Sequence, residues 1–160
     1  MKLSTKGRYA VTALADIALH GDEGPVALSD IAERQDISLA YLEQLFVKLR
    51  RAGLVASVRG PGGGYSLANA PDETTIAEVM SAVDERLNAM GCNGKYDSGK
   101  GCAGSHEACL THGLWEELSS NVHVFLSSKT IAHVISGKVQ PCRAVPQFIE
   151  FVDEAEIVAP

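Results

Sequence analysis

The chain has 160 residues, 46% of them hydrophobic and 21% charged, with a formal net charge of −6 and a mean hydropathy of +0.03. This composition excludes disordered and collagen-like chains, and the length fits one or at most two small domains with a real core. No apolar run approaches the ~18 residues of a membrane helix, and the opening MKLSTKGRYA has no signal-type apolar stretch, so a cytoplasmic protein with no membrane partner is expected.

The charge is unevenly divided. Residues 1–68 carry eight Lys/Arg against seven Asp/Glu, whereas residues 69–160 carry six against thirteen. Within the first part, Gln44 to Pro71 holds Lys48, Arg50, Arg51 and Arg59 and no acid. A local basic surface of this kind either neutralises phosphates or is simply a solvated helix end.

Thr5 to His20 predicts a helix, because Ala10, Ala13, Leu14, Ile17 and Ala18 share one face and Gly21 follows as a stop. Leu28, Ile31 and Ala32 mark a short second helix, Ser29 to Gln35, broken at Asp36-Ile37. Ser38 is then placed to cap a third helix running to about Ala52, with Leu42, Leu45, Phe46 and Leu49 buried. Ala40, Tyr41, Glu43, Gln44, Val47, Lys48 and Arg51 are left facing outward. A short helix, a tight turn and a longer helix with a polar outer face form a helix-turn-helix pattern.

Gly53 ends the third helix, and Leu54–Val58 and Tyr65–Ala68 predict two short strands joined by Arg59-Gly60-Pro61-Gly62-Gly63-Gly64. That loop reads as a wing. It is a poor nucleotide cradle, since no Gly-Lys-Ser/Thr follows and it leads into a strand. Thr75-Ile76-Ala77-Glu78 carries a capping-box signature, and Ile76, Val79, Met80, Val83 and Leu87 make the stripe of a fourth helix. After a Gly-rich loop, Leu110, Leu114, Leu118, Val122 and Phe125 predict a long helix ending near Ser128, suited to a dimer contact or to packing on the winged domain. A last short helix, Ile131 to Ser136, precedes an acidic tail. The expected fold is mainly α with a small β wing. A winged helix-turn-helix domain (1–70) is followed by a cluster-binding loop with dimerisation helices (71–138) and a flexible acidic tail (139–160).

Cys92, Cys102, Cys109 and His112 form a C-x9-C-x6-C-x2-H set in and after the Gly-rich loop. Three thiolates and one imidazole suit either tetrahedral zinc or a 2Fe-2S cluster. Long intervals in place of tight C-x2-C knuckles favour the cluster. Cys109 and His112, three apart, are expected on one face of the first turn of the long helix. His106 is a competing ligand off that register, while Cys142, His20, His123 and His133 have no ligand-like neighbours. Neither Gly-x-Ser-x-Gly, His-Glu-x-x-His nor C-x-x-C occurs, so hydrolase and dithiol redox chemistry lack support and no enzyme is expected.

The segments MKLSTKGRYAVTALADIAL, ISLAYLEQLFVKLRRAGLV, SVRGPGGGY, EVMSAVDE and CLTHGLWEELS resemble those of the iron-sulfur winged-helix regulators over about residues 1–135. The resemblance implies a homodimeric transcription regulator with a 2Fe-2S cluster on Cys92, Cys102, Cys109 and His112. It further implies control of iron-sulfur assembly genes, as repressor or activator, and exchange with the assembly machinery. Arg8 stands where some nitric-oxide-sensing relatives place an acidic ligand, which argues against that branch. The alternatives are a nitric-oxide or redox sensor of the same family and a DNA-binding module with a structural zinc.

The expected contacts to double-stranded DNA are Tyr41, Gln44 and Lys48 in the major groove, where Gln can read adenine, and Arg59 in or beside the minor groove. Lys2, Ser38, Arg51, Gly60 and Gly62 complete the expected interface. Glu43 is an acid on the same face. Near base edges it can only accept hydrogen bonds, and it is expected to keep the cluster-free dimer off one class of operator.

Overall fold

The computed structural model describes residues 3–85, 87 and 111–139. Its elements are α1 (Thr5–His20), a 3-10 turn (Gly21–Glu23), α2 (Leu28–Gln35), α3 (Leu39–Arg51), β1 (Val55–Val58), β2 (Gly64–Leu67), α4 (Ile76–Ala82), α5 (His112–Ser127) and α6 (Ile131–Ile135). The architecture is mainly α with one two-stranded antiparallel sheet, as expected. Among the described residues no helix is long and apolar enough to cross a membrane.

α1 has the predicted bounds. Its Ala10, Ala13, Leu14 and Ile17 are buried, and the Ser4 hydroxyl accepts from the Lys6 amide at its N-terminus. α2 stops where Asp36 turns left-handed (φ 51°) and the Ile37 amide donates back to the Ala32 carbonyl at 3.1 Å. This closes the helix with the 6→1 bond of a Schellman turn, Asp being among the few L-residues that adopt that conformation readily. α3 follows at once and buries Leu42, Leu45, Phe46 and Leu49. Ser38 does occupy its N-cap position, but at φ −55° and ψ 126° its hydroxyl makes no capping bond, so the expected side-chain cap is corrected to a backbone one. The Ser38 carbonyl accepts from the Leu42 amide at 3.0 Å. Gly53, at φ 74°, ends α3, with the Leu54 amide returning to the Leu49 carbonyl at 3.0 Å.

The strands pair from Val55↔Leu67 to Val58↔Gly64, so that β1 starts one residue later than expected and β2 lies one residue earlier at both ends. Leu54 and Ala68 lie just beyond the ladder, joined by one amide-to-carbonyl bond of 3.0 Å. Val26 bridges to the other side of β2, exchanging bonds of 2.9 and 2.8 Å with Tyr65. This is why Gly64 must be glycine: a Cβ there would meet the Val26 carbonyl, with its carbon at 2.5 Å and the Ala27 nitrogen at 2.9 Å. Backbone cannot yield as a side chain can, so Gly64→Ala is expected to destabilise the fold by about 2 kcal/mol. Urea unfolding monitored by circular dichroism checks this, and an unchanged midpoint would mean that Val26 does not pack on the wing.

α4 carries the predicted capping box, the Thr75 and Glu78 side chains each bonding the other's backbone amide. It ends at Ala82 and does not run to Leu87. Asp84 is left-handed (φ 55°), its amide donates to the Ser81 carbonyl, and the Glu85 amide donates to the Met80 carbonyl at 2.9 Å. Both bonds of a Schellman turn are therefore present, and Leu87 meets the core from outside the helix. α6 opens with a second capping box, Thr130 with His133. The starts of α4 and α6 are tied by Ile76 N–H to the Lys129 carbonyl at 2.8 Å and Ile131 N–H to the Thr74 carbonyl at 3.0 Å.

One core joins these elements. Leu14 from α1 and Ile31, Phe46 and Leu49 from the helix-turn-helix share it with Val79 of α4, Val83 just after it and Ile131 of α6. α5 is different, because none of its residues is buried. Leu114, Val124 and Phe125 are 60%, 66% and 51% exposed, and Leu126 near its end is the residue that packs on the core. The alternative in which this helix packs along the winged domain therefore does not hold.

Candidate functional site

α3 presents its outer face because its buried face is committed to α1 and α2. Glu43, Gln44 and Arg51 are exposed, as is Ser38 at its start. Tyr41 is half-buried, its ring edge-on to Tyr9 with centroids 5.8 Å apart and its hydroxyl 3.4 Å from Thr5 Oγ1. The ring is thus a prop between α1 and α3. Lys48 is also half-buried, and its Nζ donates to Asp84 Oδ2 at 2.8 Å. Neither Glu43 nor Arg50 takes part in that pair.

The wing stands beside this face. Arg59 is exposed at the end of β1, and no described residue bonds it. Gly60 and Gly62, at φ 109° and 72°, hold the loop in left-handed turns that glycine alone adopts without strain. A fixed arm with a guanidinium at its base and a helix bearing amide, hydroxyl and cationic groups suit a groove and its flanking phosphates. Lys2 lies outside the described residues.

The helix-turn-helix is locked by a pair that sequence reasoning missed. The Asp16 side chain is fully buried, and it accepts from Arg34 Nη2 at 2.6 Å, Arg34 Nε at 3.1 Å and Gln35 Nε2 at 2.7 Å. Burial pushes this carboxyl up, but the bonds from Arg34 and Gln35, with the charges of Arg34 and His20, outweigh it and hold it below the ordinary aspartate range. The available signal was an acid at position 16, inside the apolar face made by Ala13, Leu14 and Ile17.

Of the predicted cluster ligands, His112 is the one within the described residues. Cys92, Cys102 and Cys109 lie outside them, as do His106 and Cys142. His112 opens α5 as described, with Thr111 at the N-cap, and the expected pairing of Cys109 with it on one helix turn falls outside the described residues. Thr111 is held there by accepting from Trp115 Nε1 at 3.1 Å. The His112 side chain is 16% exposed, with Nε2 3.9 Å from Glu116 Oε2. Among the described residues no three His, Cys, Asp or Glu side chains gather as a metal site. An imidazole at a helix start that follows a segment with three cysteines is a donor set that fits zinc or a 2Fe-2S cluster.

Comparison with known proteins places this architecture. The pattern of the Rrf2 family, described as an iron-dependent transcriptional regulator, matches residues 3–137. The HTH-type transcriptional regulator IscR of Aliivibrio salmonicida is 58% identical over 141 residues, covering 88% of this chain and 81% of that protein. The regulator of the same name from Cereibacter sphaeroides is 53% identical over 156 residues, covering 96% and 99%. The solved structure of T. potens IscR superposes with a TM-score of 0.68 at 37% identity, covering 87% of this chain and 89% of that one. With its winged helix-turn-helix and this similarity along nearly its whole described length, the chain belongs to the Rrf2 family of iron-dependent transcriptional regulators and is a DNA-binding regulator, not an enzyme.

Proposed function

We propose that the chain is a homodimeric regulator that reads operator DNA with α3 and the wing and senses iron-sulfur supply through a 2Fe-2S cluster. Its target is the set of genes for iron-sulfur cluster assembly, and its place of action is the cytoplasm. The observation that supports this reading is the exposure of Gln44 and Arg51 on α3 and of Arg59 at the base of the wing, set on a core that also anchors α4, the helix leading toward the cysteines. Similarity to regulators named IscR supports the choice of target. The exposed apolar residues of α5 support a dimer, since a face carrying Leu114, Leu118 and Phe125 finds cover in a second copy of the same helix.

Cys92, Cys102, Cys109 and His112 would hold the cluster. When bound, it supplies a group that responds to iron, sulfide and oxidants. His112 stands at the junction with α5, so it ties the cluster segment to the dimer helix. His112→Ala is expected to lose the visible absorption of anaerobically purified protein while its far-ultraviolet circular dichroism stays the same. Retention of the spectrum would place the fourth ligand elsewhere, with His106 the next residue to replace. Selection of duplexes from a random library, followed by footprinting, tests the DNA reading. A palindromic site with two protected half-sites is expected of a dimer, and recovery of no preferred sequence would overturn it.

A further inference from the structure

Among the described residues of α3, Lys48 alone has its cation engaged within the chain, donating to Asp84 at 2.8 Å with the lysine side chain 39% and the aspartate 77% exposed. The carboxylate comes from an unusual corner. Asp84 sits left-handed at φ 55°, in the place after α4 that Gly53 fills after α3. Among L-residues Asp and Asn tolerate this conformation best, yet glycine suits it better. A side chain kept at such a position invites a reason beyond the turn, and here the reason on view is the bond to Lys48.

The corner is also rigid. The next residue, Glu85, accepts from the Ser4 amide at 2.8 Å, the Gly7 amide at 3.2 Å and the Ser4 hydroxyl, capping α1 from outside. Gly7 allows this approach, since a Cβ there would lie 2.5 Å from Met80 Sδ and 3.1 Å from Glu85 Cγ. The bond from Lys48, then its charge, and that of Lys6 keep the Asp84 carboxyl below the ordinary range, so it is an anion at neutral pH.

We propose that Asp84 sets DNA affinity by holding Lys48 as an internal stand-in for a phosphate, which DNA must displace before Lys48 can engage it. The inference rests on α3 being the DNA-reading helix. A carboxylate on a fixed corner offers Lys48 what the backbone of DNA offers, one negative charge at hydrogen-bond distance. Binding then exchanges one ion pair for another, and the net gain from Lys48 is smaller than for an unengaged lysine. The exchange also frees Asp84, which lies at the end of α4 on the way into the segment that holds the cysteines.

The test is fluorescence anisotropy with the duplex recovered by selection, using full-length wild-type protein, Asp84→Asn, Lys48→Gln and the double variant. Asparagine keeps the left-handed turn, and thermal unfolding confirms that each variant is folded. Asp84→Asn is expected to tighten binding about two- to five-fold, the scale of one exposed ion pair, and to have no effect once Lys48 is replaced. Equal tightening with and without Lys48 would mean that Asp84 only repels DNA at a distance, and the proposal would fall. Unchanged or weakened binding of Asp84→Asn would overturn it as well. Wild-type protein that binds no duplex would overturn the DNA-reading role of α3 instead.

Discussion

Asp16→Ala is expected to destabilise the protein by about 3 kcal/mol, the lower end of the cost of breaking a buried ion pair. The lower end applies because Arg34 is 34% exposed and can turn toward water when its partner is removed. Gln35 loses its carboxylate partner at the same time. The pH dependence has a definite sign. A carboxyl held below its unfolded value contributes stability that is complete above that value and is lost as pH falls through the folded one. Wild-type protein should therefore lose stability steeply below about pH 4, near the ordinary aspartate pKa. Asp16→Asn, which cannot ionise, should be less stable at neutral pH and lose less on acidification. Urea midpoints across that range check this. Parallel pH profiles for the two proteins would show that Asp16 gains nothing from its partners. Because the pair ties α1 to α2, the substitution should also weaken operator binding by loosening the platform under α3.

Arg59→Ala should cost about 1 to 3 kcal/mol of operator binding with little change in fold stability. The residue is exposed and bonded to no described residue, so its removal leaves no buried group unpaired. It stands at the base of a loop shaped by Gly60 and Gly62, where the proposed interface needs it. Two kinds of contact can be told apart. A guanidinium in a narrow minor groove discriminates among sequences, whereas one on a phosphate weakens all duplexes alike and lowers the salt slope by about 1. Minor-groove insertion predicts a larger loss on the selected operator than on mixed-sequence DNA. Unchanged affinity for both would remove the wing from the interface.

Local pattern carried much of the fold. Residues Thr5 to His20, the helix-turn-helix, the Thr75 capping box and the glycines of the wing are visible because neighbours in sequence determine them. What was hidden joins distant positions. Asp16 with Arg34, Lys48 with Asp84 and Glu85 with Ser4 and Gly7 are ion pairs and caps between separate elements, and no periodicity announces them. The early end of α4 was missed for a related reason: Val83 and Leu87 extend a helical stripe through a residue whose backbone turns the other way. Lys48 stands at helical spacing from Gln44 and reads as free until the fold brings Asp84 to it.

Metal content tests the central claim most directly. Protein purified without oxygen, with iron, acid-labile sulfide and zinc measured per chain and a visible spectrum recorded on the same sample, should be red-brown. It should hold about two iron and two sulfide atoms per chain, the content of one 2Fe-2S cluster. Colourless protein with one zinc per chain and no sulfide would contradict the account, leaving a DNA-binding regulator whose cysteines and His112 hold a structural metal.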